Sequence, residues 1–139
     1  MPTLRLVQPP EAIARWPEFR AMLDRAIQHG RGELEVDDIL AGVQADKMGV
    51  LAQEEGDELQ LLFAFEVIVY PRRSVMNLIA VAGRNLAGLV PRYEMVDLIA
   101  RTMGATSVRC FCRRSVARRI KQLFPTTEEA YVVMEREVA

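Results

Sequence analysis

Two stretches of the chain combine residue types and spacings that could do chemistry. The first is "FAFEVIV", residues 63–69. Glu66 is its only ionisable group, and apolar neighbours on both sides are expected to raise its pKa towards the range of a general base. The same carboxylate could instead pair with an arginine or line a cleft without reacting. The second is "AVAGRNLAGLVPRYEMVDLIA", residues 80–100. A strand is expected to end at Gly83 and a helix to begin by about Val90, so Arg84, Asn85, Leu86, Ala87 and Gly88 form the joint. The first turn of a helix has unpaired N–H groups at the positive end of its dipole, and a phosphate placed there gains charge-assisted bonds. Gly83 and Gly88 permit close approach to the backbone. Arg84 adds a positive side chain, while Pro91 removes one N–H. Such a joint also serves as a plain turn, and the spacing alone leaves both readings open.

The elements that must position these residues follow from periodicity. "TLRLVQPP" alternates and stops at two prolines, as a short edge strand would. In "EAIARWPEFRAMLDRAIQHGRG", Ile13, Trp16, Phe19, Leu23, Ala26 and Ile27 recur at steps of three and four, which predicts a helix with one buried face. Pro17 should kink or split it. Val36, Ile39, Leu40 and Val43 predict a second amphipathic helix. "GVLAQEE", "ELQLLFAFEVIVY" and "SVMNLIAVAG" then read as strands joined by turns at Gly56-Asp57 and Pro71-Arg72-Arg73. The middle one is apolar on both faces, so it should be central. "LVPRYEMVDLIARTMG" reads as a helix, with Pro91 in its first turn and Gly104 at its end. "TSVRCFCR" reads as a strand, "RSVARRIKQLF" as a helix and "EEAYVVMEREV" as a last strand. The expected order is β-α-α-β-β-β-α-β-α-β: an α/β domain spanning 1–139, with a mixed central sheet and helices on both faces.

Bulk properties set limits. With 18 basic and 19 acidic residues the net charge is -1, so bulk charge does not mark a nucleic-acid binder. Cys110 and Cys112 are the only cysteines, and a disulfide between them is not expected. Two cysteines and the single histidine, His29, are too few for a metal site or a two-histidine mechanism. "MPTLRLVQPPEAIARW" lacks a basic region followed by an apolar run, and no uncharged apolar stretch reaches the roughly 18 residues of a membrane helix. A soluble, cytoplasmic protein without a membrane partner is the expectation.

The element order, taken with the turn after Gly83, resembles the GNAT superfamily of acyl-CoA-dependent N-acyltransferases over roughly residues 3 to 138. The likeness is closest in "LIARTMGATSVRCFCRRSVARRIKQLFPTTEEAYVVMEREV", which is similar to that family's closing helix, strand, short helix and final strand. It is also similar to small GNAT-like proteins carried by bacteriophages, which would place it in a host cytoplasm or a virion. The resemblance implies that the fourth strand splays from its neighbour. The backbone of Ile79, Ala80 and Val81 would then pair with the pantetheine arm of acetyl-CoA or another acyl-CoA. It further implies a pyrophosphate turn of pattern Q/R-x-x-G-x-G/A, here Arg84, Asn85, Leu86, Ala87, Gly88 and Leu89. Ala87 and Leu89 take the two small positions and Gly88 falls between them. The cofactor would therefore bind in a register shifted onto Gly88, or this copy of the fold has lost it.

The implied reaction is direct acyl transfer to an unidentified amine, with Glu66 as base. The family's tyrosine acid has no counterpart in "RSVARRIKQLF"; Tyr93 and Tyr131 read as packing residues. The two thiols read as inert, and Asn77 could contact an acceptor or satisfy a neighbouring backbone group. The alternative is a catalytically inactive phage accessory or virion protein that binds protein or nucleic acid. Residues 98–127 contain seven basic and no acidic side chains. Arg114, Arg118 and Lys121 share one helical face, opposite an expected buried face of Val116, Ile120, Leu123 and Phe124. That basic face could be merely solvated, could meet cofactor phosphates, or could dock an acidic protein or nucleic acid. An exposed edge or final strand could support a homodimer.

Overall fold

The chain opens with a short strand β1 (Thr3–Val7) and three helices: α1 (Pro9–Ala14), α2 (Trp16–Ile27) and α3 (Val36–Gln44). This computed structural model describes residues 1–138; Ala139, the last residue of the expected 1–139 unit, lies outside the described residues. The single helix read across residues 11–27 is split at Arg15, and Pro17 sits in the first turn of α2, where its missing N–H costs nothing. Glu35 and Asp38 form a reciprocal capping box that starts α3.

Strands β2 (Met48–Glu55), β3 (Glu58–Val69) and β4 (Ser74–Gly83) follow as an antiparallel meander. Next come a 3-10 segment (Leu86–Arg92), α4 (Tyr93–Thr102), β5 (Ala105–Cys110) and α5 (Arg114–Leu123). The five strands lie side by side in sequence order, all antiparallel except the parallel β4–β5 pair. β3 is central as expected, because its alternating side chains feed two cores. Leu62 and Ala64 pack with Phe19, Leu23, Ile39 and Val43 beneath α1–α3. Leu61, Phe63 and Phe65 pack with Met76, Val96 and Ile99 beneath α4. No helix among the described residues is long and apolar enough to cross a membrane.

Three expectations are corrected. The helix after Gly83 is not α-helical from the start: Leu86–Arg92 is 3-10 and α4 begins only at Tyr93. Pro91 has no N–H to donate, and the regular α-helical ladder starts only after it, at Tyr93. The last strand is also missing. Residues 128–138 form no strand, and Tyr131, Val132, Val133 and Met134 are exposed. Alternation marks a side-chain pattern, but a strand also needs a ladder partner. Without that cover, Val116 on the apolar face expected of α5 is exposed, Ile120, Leu123 and Phe124 are only half-buried, and α5 has no fully buried residue. Phe124 finds its partner in Tyr93, edge-on with ring centroids 6.2 Å apart.

Candidate functional site

The site is built on β4. Its ladder with β5 runs from Ser74–Ala105 to Leu78–Cys110 and stops, while β4 continues to Gly83. Ile79, Ala80 and Val81 therefore lie just beyond the last β5 partner, along an open stretch of strand edge. The register with β3 breaks at the same place: Phe65 faces Leu78 and Ala64 faces Ala80, so Ile79 is the extra residue of a β-bulge. The bulge turns Ala80 and Ala82 into the core under α1–α3 and leaves Val81 exposed.

A second bulge shapes the turn. Gln60 is the extra residue where β3 pairs with β2, and its carbonyl accepts the Arg84 N–H at 2.7 Å. Gly83 has φ of 110°, and a Cβ there would sit 2.1 Å from that carbonyl oxygen, so only glycine fits. Asn85 takes the left-handed conformation at φ 68° and caps the 3-10 segment, its Oδ1 accepting from the Gly88 N–H at 3.1 Å. Its Nδ2 donates to Gln60 Oε1 at 3.1 Å, and buried Gln53 donates to the same oxygen at 2.9 Å. A Cβ on Gly88 would lie 2.3 Å from the Asn85 amide, so the cap needs glycine there as well.

The donors of the turn are thus divided. The N–H groups of Arg84 and Gly88 are engaged internally, whereas those of Asn85, Leu86 and Ala87 have no partner among the described residues. The Arg84 side chain is exposed beside them. Arg92, which the sequence did not single out, donates to the Gly88 carbonyl at 2.9 Å and adds positive charge behind the turn. Leu89 is buried in the core with Val96 and Ile99 and does not stand in the turn. Three free amides beside two guanidinium groups and an unpaired strand edge suit an extended ligand with an anionic diphosphate.

Glu66 is half-buried on β3 and faces Asn77 on β4. Asn77 is 7% exposed, donates its Nδ2 to Glu66 Oε1 at 3.2 Å, and stands in register with Arg109 on β5. Glu66, Asn77 and Arg109 thus form a row across three strands, beside the start of the gap. Arg109 donates to the Tyr70 hydroxyl at 2.8 Å, and its guanidinium carbon lies 5.6 Å from the Tyr70 ring centre and 5.4 Å from that of Tyr131. These contacts were not legible in the sequence. The cysteines do not join the site: burial, with Cys112 alongside, pushes the Cys110 thiol up to about 12. Among the described residues no cluster of side chains could hold a metal ion.

No protein-family model matches the sequence, and no curated protein does. Solved structures do match. An aminoglycoside acetyltransferase from an uncultured soil metagenomic sample, in complex with sisomicin, aligns with TM-score 0.73 at 7% identity, covering 99% of this chain and 97% of that one. A ribosomal-protein-alanine N-acetyltransferase from Brucella melitensis biovar Abortus 2308 aligns at 0.70 and 12% identity, covering 98% and 99%. Aminoglycoside N-acetyltransferase AAC(6')-Iy, in complex with CoA, aligns at 0.69 and 10% identity, covering 100% and 96%. At such identities the likeness concerns architecture: the chain has the α/β GNAT fold of these acetyltransferases.

Proposed function

We propose that the chain is an acyl-CoA-dependent N-acyltransferase that uses acetyl-CoA or a close relative and acylates an amine by direct transfer. The observation that carries this reading is the open edge of β4 at Ile79–Val81 leading into the free amides of Asn85, Leu86 and Ala87. The edge offers backbone partners to the amides of a pantetheine arm. The turn amides, with Arg84 in front and Arg92 behind, hold the diphosphate. Gly88 contributes by its lack of a side chain, and Leu89 anchors the turn from the core. Bound acyl-CoA supplies a thioester carbonyl whose C–S bond breaks as the C–N bond to the amine forms, releasing the thiol. Glu66 accepts a proton from the incoming ammonium, and Asn77 holds the carboxylate in place. The second amine proton can pass to the departing sulfur, so no tyrosine acid is required.

Thermal unfolding with CoA and acetyl-CoA tests the reading. A ligand at 100 times its Kd stabilises by about 2.7 kcal/mol, several degrees for a domain of this size. An unchanged Tm at millimolar cofactor would refute it. A second reading, a non-enzymatic accessory or virion protein, draws on α5, where Arg114, Arg118 and Lys121 are exposed and make no ion pair among the described residues. It expects binding to an acidic partner that weakens steeply with salt.

A further inference from the structure

Asn77 engages only one end of its amide among the described residues. Its Nδ2 faces Glu66, and a carboxylate only accepts, so the amide orientation is fixed and Oδ1 points elsewhere. That Oδ1 is fully buried and has no hydrogen-bond donor among the described residues. The half-buried Glu66 carboxylate has Asn77 as its one donor among the described residues, and an ammonium group, which carries three N–H donors, suits its remaining acceptor positions.

The next residue of the row leads to the opposite charge. Arg109 reaches from beside Asn77 into an open pocket of about 500 Å³ lined by Tyr70, Pro71, Arg72, Arg73, Arg109 and Tyr131. Among the described residues, none of the three guanidinium groups pairs with a carboxylate. Tyr70 and Tyr131 flank Arg109 and limit its freedom, and the Tyr70 hydroxyl, which accepts from Arg109, keeps its own proton to donate. The pocket is concave, cationic and partly aromatic, whereas the neighbouring Glu66–Asn77 pair is acceptor-rich. From Asn77 to Ser74, where the hairpin carrying Arg72 and Arg73 begins, the strand rises roughly 10 Å.

From this polarity we infer that the acceptor is an anionic amine: its ammonium binds the half-buried Glu66 carboxylate, and its carboxylate or phosphate binds Arg72, Arg73, Arg109 and the Tyr70 hydroxyl. The inference rests on the acyl-transfer reading, and it names the class of amine that reading leaves open. Neutral and polycationic amines are disfavoured, the former for want of a partner for the arginines and the latter by repulsion.

The probes are 6-aminohexanoate, 5-aminopentyl phosphate and hexylamine, titrated calorimetrically into the full chain without cofactor. CoA release from acetyl-CoA is measured in parallel. The anionic amines should bind at least about tenfold tighter than hexylamine, since charge-assisted bonds of this kind are worth that much or more. The tighter of the two distinguishes carboxylate from phosphate as the natural group. Arg72→Gln with Arg73→Gln, on the exposed hairpin where folding is not at stake, should shrink the preference, and Arg109→Gln should abolish it. Equal binding of all three amines, no binding of any, or a preference that survives Arg109→Gln would overturn the inference. Preferred binding of the anionic amines with no CoA release would refute acyl transfer and leave the amine site standing. CoA release without anion preference would remove the amine site alone.

Discussion

The Asn77 side chain donates to the Glu66 carboxylate at 3.2 Å across the β3–β4 ladder, joining the candidate base to the strand whose edge is open. Under the proposed chemistry the two residues have separable roles. Glu66→Gln should lower kcat by about 10²–10⁴ while leaving the CoA-induced shift in Tm intact. Asn77→Ala should lower kcat and raise the KM of the amine, with the KM of acetyl-CoA unchanged. Steady-state kinetics against both substrates check this, and a uniform loss in both KM values would contradict it.

Gly83→Ala places a methyl group against the Gln60 carbonyl in a backbone conformation that side chains avoid. It should destabilise the chain by about 1–3 kcal/mol, read by urea unfolding, and weaken CoA binding. Asn85→Gly keeps the left-handed backbone and removes only the cap and the bond to Gln60. Its stability cost should be smaller, about 1 kcal/mol or less, yet CoA affinity should still fall several-fold because the three free amides lose their scaffold. If CoA binds both variants as it binds the parent, the diphosphate is held elsewhere.

Acid should loosen the junction of β1, α1 and β2 first. Glu11 bridges Arg5 and Arg15, its Oε1 accepting from Arg5 Nη1 at 2.9 Å and its Oε2 from Arg15 Nη1 at 3.0 Å. These hydrogen bonds hold its carboxyl well below the usual carboxylate range, at about 2. A carboxylate depressed by folding contributes stability above its unfolded pKa and loses it as pH falls through the folded one. Tm should therefore decline between about pH 4.5 and pH 2, and Glu11→Gln should flatten that decline while lowering Tm at neutral pH. An identical slope in the variant would assign the acid sensitivity to other carboxylates.

The thiols should differ in reactivity. Cys110 is half-buried and protonated at neutral pH, whereas Cys112 is exposed. Iodoacetamide at pH 8 should label Cys112 and spare Cys110 in the folded chain, as peptide mass mapping would show. Labelling of Cys110 at a similar rate would mean that the end of β5 opens.

The sequence made much of this architecture legible. The unbroken apolar run Leu61–Phe65, apolar on both faces, announced a central strand, and the three- and four-residue steps from Trp16 to Ile27 announced a helix face. The location of the turn was legible from Gly83, whose positive φ admits no other residue. What it concealed depends on pairing. The bulge at Ile79 exists only relative to β3, and "SVMNLIAVAG" carries no mark of it. The division of turn amides into engaged and free follows from Gln60 and Asn85, which lie 25 positions apart. The row of Glu66, Asn77 and Arg109 needs three strands in register. "EEAYVVMEREV" misled for the converse reason: its alternation suits a strand, but no neighbouring strand accepts it among the described residues.

The extra residue at Ile79 also makes β4 a strand of two phases. Before it, Met76 and Leu78 point towards α4; after it, Ala80 and Ala82 point towards α2. One inserted position thus lets a single ribbon feed bulky side chains to the core under α4 and small ones to the core under α1–α3. Excising Ile79 would merge the phases and rotate the whole joint behind it by half a turn, so the length of this segment is as constrained as any of its side chains.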